Sequence, residues 1–402
     1  MLEVFRARWI LPIASSPIRD GWLAVEGDRI AAFGGADSEP LGSPAEAFMD
    51  AAILPGLVNA HTHLELSWMR GQTAPAPSMP QWVESLMALR RTVDHEPVWP
   101  TVEAIREARA AGTSLVGDVT NTLASYSPLA DSEMSAAIFH ELLGFDVANA
   151  TAVVADAHAH LAALPRIGRL RTFIAPHAPY SVSAELLRAI ADGEQRRVTI
   201  HLGESAEEME FLQSGTGAWR TLLTAFGVWS DTWTAPSCSP VEYIARHGLL
   251  NDRLLAVHCV QLGHDDLRRL ADAGATVVTC PRSNRWTGAG VPPVERFYDS
   301  GVRVAVGTDS LGSVDDLNMF SELATLRELA PSIPARALLE SATRHGADAL
   351  GFGREMGTIE PGKRAELIAV ALEKNENGAD DVDDVEEYLV SGITPDLVRW
   401  LV

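Results

Sequence analysis

The sequence predicts an α/β protein: a (β/α)8 barrel of the TIM type with a small β unit built from both chain termini. Three observations lead there. Eight short apolar runs alternate with longer helical stretches from Leu54 onward, helical stretches are followed by a glycine near their ends, and the two termini share a separate, β-like character. In order, residues 1–50 carry β-like pieces such as Gly21–Phe33, folded about Gly27-Asp28. The eight runs then fall at 54–58, Thr113–Val119, Ala136–Leu143, Arg171–Ala175, Arg197–Leu202, Leu254–His258, Ala275–Cys280 and Arg303–Gly307. Between them, Thr101–Ala111, Ser183–Ala191 and Pro240–His247 have helical character. A doubly wound open sheet shares this alternation, and the count of eight strands favours the barrel. The stretch Met356–Val370 is of the same kind as the N-terminal pieces. Residues 1–50 plus 355–402 are therefore expected to form one small β domain beside a barrel domain at 51–354. Residues 373–387 are strongly acidic and contain Asn and Gly, the composition of an exposed linker before a short terminal helix.

At 402 residues, 47% of them hydrophobic, the chain is long enough to bury one large barrel core. Its 32 basic against 54 acidic residues give a formal charge of −22. That balance argues against nucleic acid or an anionic membrane as a partner, since either is met by clustered Lys and Arg, and it fits small-molecule substrates better. Cys238, Cys259 and Cys280 form no CxxC pair, so neither a disulfide framework nor a cysteine zinc site is indicated, and the usage suits a reducing compartment. The segment Met1–Trp9 lacks a basic region followed by an apolar core, and no apolar run reaches the ~18 residues that a membrane span needs. A cytoplasmic protein is the expectation, with a homo-oligomer left open.

The first predicted strand leads into Asn59-Ala60-His61-Thr62-His63. On a strand, residues i and i+2 share a face, so His61 and His63 can present two imidazoles to one metal ion. His158 and His160 have the same spacing inside a helical stretch, where it turns the rings apart, and they read as solvated helix surface. Barrel enzymes carry their chemistry at the C-terminal ends of strands. There the fifth strand supplies His201, the sixth His258 and the eighth Asp309. A lone histidine on an apolar strand is commonly a hydrogen-bonded core residue. Five such groups at strand ends point instead to one metal or catalytic site.

The motifs PGLVNAHTHLE, HAPYS, HLGES, VHC, CPRSN and GTDS occur in this order. In them the chain resembles the amidohydrolase superfamily, most closely in pattern its deaminase branch of cytosine, guanine, S-adenosylhomocysteine and aminodeoxyfutalosine deaminases. The resemblance covers most of the chain, since the terminal β segments at 1–50 and 355–402 match the composite β-sandwich that those enzymes carry, and it implies such a β-sandwich domain here. It implies one divalent ion held by His61, His63, His201 and Asp309, with Glu204 and His258 beside it. Neutral imidazoles and a carboxylate suit Zn²⁺ first and Fe²⁺ as well, with an open position for a water that the ion acidifies. In that chemistry Asp309 accepts the proton, His258 orients the nucleophile or polarises the substrate, and Glu204 carries protons to the ring nitrogen and the leaving ammonia. Dinuclear members place a carboxylated lysine after the fourth strand, whereas this chain reads Phe173-Ile174-Ala175-Pro176-His177 there. One metal is therefore expected, and His177 resembles the deaminase-branch histidine that contacts substrate. The zinc signature of the unrelated cytidine-deaminase fold, H-x-E with P-C-x-x-C, is not supplied by Cys280–Asn284.

Weaker candidates surround the predicted mouth. Trp68, Arg70, Trp82 and Glu84 lie in a Pro-containing stretch after the first strand. Nucleoside-type members carry a ribose-reading carboxylate in this loop, for which Glu84 is the candidate, with Trp82 beside it; the two also suit the solvent and core faces of an ordinary helix. Asn121 and Glu141 are placed to face the cavity. Arg282 and Asn284 end the seventh strand, where they suit a substrate anion or, equally, a structural ion pair. Trp219, Trp229 and Trp233 suit a wall for an aromatic base or packing against the helical shell. The resulting expectation is a mononuclear metal-dependent aminohydrolase of an amino-substituted heteroaromatic ring, an aminopurine or adenosine-like nucleoside of the S-adenosylhomocysteine or aminodeoxyfutalosine type. A chlorotriazine or imidazolone ring hydrolase would share the metal machinery. A catalytically silent scaffold would lack ligands that are all present here.

Overall fold

The structure, a computed structural model, describes residues 2–38, 45–93, 97–193, 196–372 and 384–401. Four strands come first: β1 (Leu2–Ile10), β2 (Ile18–Glu26), β3 (Arg29–Gly35) and β4 (Ala45–Pro55). Then follow β5 (Leu57–Thr62), β6 (Thr113–Thr120), β7 (Ser135–Leu142) and β8 (Leu170–Pro176), and after them β9 (Val198–Leu202), β10 (Leu254–His258), β11 (Thr276–Thr279) and β12 (Arg303–Val306). The last two are β13 (Leu367–Ala371) and β14 (Val398–Trp400). Two four-stranded sheets, β5-β6-β7-β8 and β12-β11-β10-β9, are parallel throughout, with helices between successive strands. The six strands near the termini form one mixed sheet in the order β14-β13-β4-β1-β2-β3.

Later predicted runs match parallel strands to within a residue at either end, but the first does not. Leu54 and Pro55 end β4 and pair with Ile368 and Leu367 in the terminal sheet, and the parallel strand starts only at Leu57. Gly56 makes the passage possible: a Cβ there would lie 2.6 Å from Ser114 Cβ and 2.8 Å from the Trp400 ring. The termini do meet in this one sheet, which curls back so that the β2–β3 turn bonds to the segment before β13 (Ile30 N–H donates to Lys363 O and Ala365 N–H to Asp28 O, 2.9 Å each), and β4 runs past the expected boundary at residue 50. Residues 373–383 of the acidic segment lie outside the described residues, and the short helix Val385–Leu389 begins within that segment. His158 and His160 lie on the helix Ala150–Ala163, with His160 exposed. The three cysteines are free and buried, and no described helix is long and apolar enough to cross a membrane.

Both parallel sheets contribute to one buried cluster, which joins Val58, Leu115, Phe139 and Phe173 to Val257 and Val278. Along β10, Leu255 and Val257 belong to that cluster, whereas Leu254 and Ala256 pack with Leu267 and Leu270 of a neighbouring helix. This is the period-two division of a strand buried on both faces. The two sheets also meet through the backbone. His201 N–H donates to His177 O at 2.9 Å, and Asp309 N–H donates to His61 O at 3.0 Å. The C-terminal ends of β8 and β9, and of β12 and β5, are thereby tied together.

The approach of β12 to β5 depends on a residue without a side chain. A Cβ at Gly307 would come 2.7 Å from His61 O and 2.9 Å from His61 N. Gly307→Ala is expected to destabilise the fold by roughly 1–3 kcal/mol, read as a lower denaturation midpoint. An unchanged midpoint would show that this seam yields without strain.

Candidate metal and active site

The tied strand ends bring together side chains that are far apart in sequence. His61 lies in β5 and His63 just beyond it, His201 in β9, His258 at the end of β10, and Asp309 shortly after β12. The Nε2 atoms of His63 and His201 are 3.3 Å apart, and Asp309 Oδ1 lies 3.7 Å from His63 Nε2 and 3.9 Å from His61 Nε2. His61, at 1% exposure, has no hydrogen-bond partner for either ring nitrogen. Orphaned buried polar atoms are rare and cost about 1–3 kcal/mol each unless something else meets them. Four donors about 2.1 Å from a tetrahedral ion would sit roughly 3.4 Å from one another, close to the separations here. The donor set therefore fits a divalent cation.

The backbone is bent to assemble this cluster. His258, Cys259 and Asp309 have φ of 72°, 55° and 65°, left-handed values that cost of order 1–3 kcal/mol each in residues other than glycine. His258 follows Val257, which faces the interior cluster, so a continuing strand would aim residue 258 at the helices; the left-handed turn returns its ring to the site. Neighbours then fix the rings. His201 Nδ1 lies 2.9 Å from His177 O, a contact that makes Nδ1 the protonated nitrogen and leaves the Nε2 lone pair facing His63. Asn284 Nδ2 is 3.0 Å from His258 Nδ1, and Ser283 Oγ donates to Asp309 Oδ2 at 2.7 Å. Glu204 Oε1 lies 3.5 Å from His258 Nε2, while its Oε2 has no partner. A cavity of 440 Å³ opens over the group and is lined there by His63, His177, His201, Glu204, His258 and Asp309.

The Amidohydrolase family model matches residues 52–395 of this chain. The chain belongs to the amidohydrolase family. It is 32% identical over 385 residues to a 5-methylthioadenosine/S-adenosylhomocysteine deaminase of Moorella thermoacetica, a match covering 90% of this chain and 84% of that one. It is also 32% identical over 386 residues to an aminodeoxyfutalosine deaminase of Deinococcus radiodurans, covering 88% and 87%. The crystal structure of an adenosine deaminase from Xanthomonas campestris with bound zinc is similar at a TM-score of 0.81 and 27% identity, covering 99% of this chain and 91% of that one. This amidohydrolase is a hydrolase acting on carbon–nitrogen bonds.

Burial, and after it the neighbouring imidazoles, favour the neutral form of four histidines of this amidohydrolase's site. His61 and His258 lie well below the usual value, and His177 and His201 are pushed down to about 3. Neutral imidazole is the form that binds a metal. Burial, then Asp309 and Glu208, raise the Glu204 carboxyl well above the usual carboxylate range, which favours its protonated form.

Glu208 acts on Glu204 through the backbone. Its carboxylate accepts the N–H groups of Gly203 and Glu204 at 3.0 Å each, and its own N–H donates to Ser205 Oγ at 3.2 Å. This is a capping box on the helix Ala206–Ser214 in which the carboxylate reaches back beyond the N-cap. Glu208→Ala leaves two buried donors unpaired; it is expected to destabilise the protein by roughly 2 kcal/mol or more and to lower kcat with metal content retained. A kcat equal to that of the parent protein would contradict the link to Glu204.

The structure sorts the peripheral candidates. Trp82, Asn121, Glu141 and Trp219 line the cavity. Glu84 does not: the lining residues of the helix Met79–Arg90 recur at helical spacing, and Glu84 lies on its exposed side, a position that does not fit ribose reading. Arg282 is also corrected. Its Nε lies 2.7 Å from Glu322 Oε1 and its Nη1 2.9 Å from Asp316 Oδ1, a structural ion pair outside the cavity lining. Trp68 is buried and Arg70 pairs with Glu107, both away from the lining. Trp229 and Trp233 stack on Phe145 and Phe211 respectively. Sequence reasoning assigned no role to Ser283, Glu208 or Tyr180, although each lies in or beside a quoted motif. Tyr180 of HAPYS stacks on Trp219 with ring centroids 3.8 Å apart and helps line the cavity.

Proposed function

We propose that this amidohydrolase deaminates an adenosine-like nucleoside hydrolytically, using one divalent ion, Zn²⁺ by preference, held by His61, His63, His201 and Asp309. The observation that carries the reading is a buried Glu204, its carboxyl raised well above the usual range and 3.5 Å from His258 Nε2, beside histidine ring nitrogens that converge on Asp309. The deaminase names of the relatives and the zinc of the Xanthomonas neighbour support it. We read the eight parallel strands as one closed (β/α)8 barrel, supported by the shared interior cluster and the two backbone ties, with the catalytic unit separated from the terminal β unit at Pro55.

A bound cation makes water a stronger acid and so supplies a nucleophile near neutral pH. The chain's own residues do the rest. Asp309 accepts a proton from the attacking water, and Glu204 protonates the ring nitrogen as the C–O bond forms at the carbon bearing the amino group. The proton held by Asp309 then reaches that amino group, the C–N bond breaks and ammonia leaves. The remaining hydroxyl proton returns to Glu204 as the carbonyl forms. His258, held by Asn284, orients the attacking oxygen, and His177, with Nδ1 engaged by Ser181 Oγ at 2.5 Å, contacts the ring. Glu141 takes over the sugar-reading role from Glu84: it lines the cavity, and Asn121 Nδ2 donates to its Oε2 at 2.8 Å.

The test is ammonia release by purified, metal-analysed protein from adenosine, 5′-deoxy-5′-methylthioadenosine, S-adenosylhomocysteine, guanine, cytosine and an aminotriazine. Release from an adenine nucleoside is expected. Release confined to a free base or a triazine would contradict the reading.

A further inference from the structure

Beyond the reacting groups the cavity continues into a chamber of different character. The helix Met79–Arg90 lines it with Met79, Trp82, Val83, Leu86 and Met87, a stripe at helical spacing. Leu222 and Leu223 of the helix Ala218–Ala225, with Phe226 just after it, supply another apolar wall. Leu143 and Val228 lie at its mouth, 51% and 43% exposed. The carboxylates that line the cavity are Glu141, Glu204 and Asp309, all grouped with the histidines at the reacting end. Among the described residues the outer chamber has no carboxylate, and Arg90 is its lining cation.

We propose that this chamber receives an uncharged, apolar substituent at C5′ of the nucleoside and selects against a zwitterionic amino-acid tail at the same place. The inference rests on the deaminase reading above and goes beyond the names of the relatives, one of which pairs a thioether nucleoside with one bearing an amino-acid tail. With the ring over the metal ligands and the sugar beside Glu141, the C5′ substituent is the part of the ligand left to extend outward. A thioether or aryl group there exchanges water for Leu, Met and Phe side chains and gains affinity in proportion to the area buried. An α-ammonium group would be stripped of water with no anionic partner among the described lining residues, which is unfavourable.

The experiment compares kcat/KM for ammonia release from adenosine, 5′-deoxy-5′-methylthioadenosine and S-adenosylhomocysteine with the metal-loaded protein. The methylthio nucleoside is expected to exceed both others by roughly tenfold or more, the range that small apolar groups command in such pockets. A companion variant, Met87→Glu, places a carboxylate in the half-buried wall and is expected to bring the ratio of methylthio nucleoside to adenosine toward one. Adenosine or S-adenosylhomocysteine equalling or surpassing the methylthio nucleoside, with ammonia still released, would overturn the chamber assignment alone. An unchanged ratio in Met87→Glu would also overturn it. No ammonia from any of the three would overturn the deaminase reading and this inference with it.

Discussion

Replacing His61 with alanine is expected to remove most of the bound metal and to lower turnover by roughly 10³-fold or more, the several kcal/mol that metal-assisted activation of water supplies. The reason lies in how little else His61 does. It is fully buried on β5, both ring nitrogens lack partners within the chain, and its backbone carbonyl, which accepts from Asp309 N–H, survives the substitution. The loss should therefore appear in metal stoichiometry first, with the fold retained. A purified His61→Ala protein with full metal content would remove His61 from the ligand set.

Glu204→Gln is expected to separate binding from chemistry. The amide preserves size and can still hydrogen-bond to His258, so metal content should remain, whereas the cycle of giving and regaining a proton is lost. Turnover should fall by roughly 10²–10⁴-fold, the usual worth of a positioned acid–base group. Because Glu204 lies beside His258 and is not one of the four proposed ligands, metal analysis distinguishes this outcome from that of His61→Ala. Normal turnover in Glu204→Gln would take the residue out of the proton path.

How much of this was legible in the sequence depended on whether a feature was local. The parallel strands were visible because strands buried on both faces read as continuous apolar runs, and the histidines were visible because each ends such a run. The first strand was misplaced because Ile53, Leu54, Leu57 and Val58 are equally apolar, although a hinge at Gly56 assigns them to two different sheets. Glu84 was misread because a polar residue after a proline-containing loop does not reveal which side of a helix will face a cavity, and that is decided by the packing of the helix against the barrel mouth. Arg282 was ambiguous for a related reason: its partners Glu322 and Asp316 lie some 40 and 34 residues away and are joined to it only by the fold. Ser283 and Asn284, one and two positions further on, turned out to orient Asp309 and His258, a role that no spacing rule announces. The left-handed backbone at His258 and Asp309 was equally hidden: His and Asp adopt it more readily than most residues, but only a small fraction of them do.

The central claim is that water replaces an amino group on a purine ring at this cluster. Mass spectrometry of the product formed from 5′-deoxy-5′-methylthioadenosine in ¹⁸O-enriched water, with ammonia quantified in the same sample, tests it most directly. The expected result is a 6-oxo nucleoside carrying one solvent-derived oxygen, with one equivalent of ammonia and the sugar still attached. Unchanged nucleoside from fully metallated protein, or a product that keeps its amino nitrogen while losing the sugar or the tail, would contradict the account.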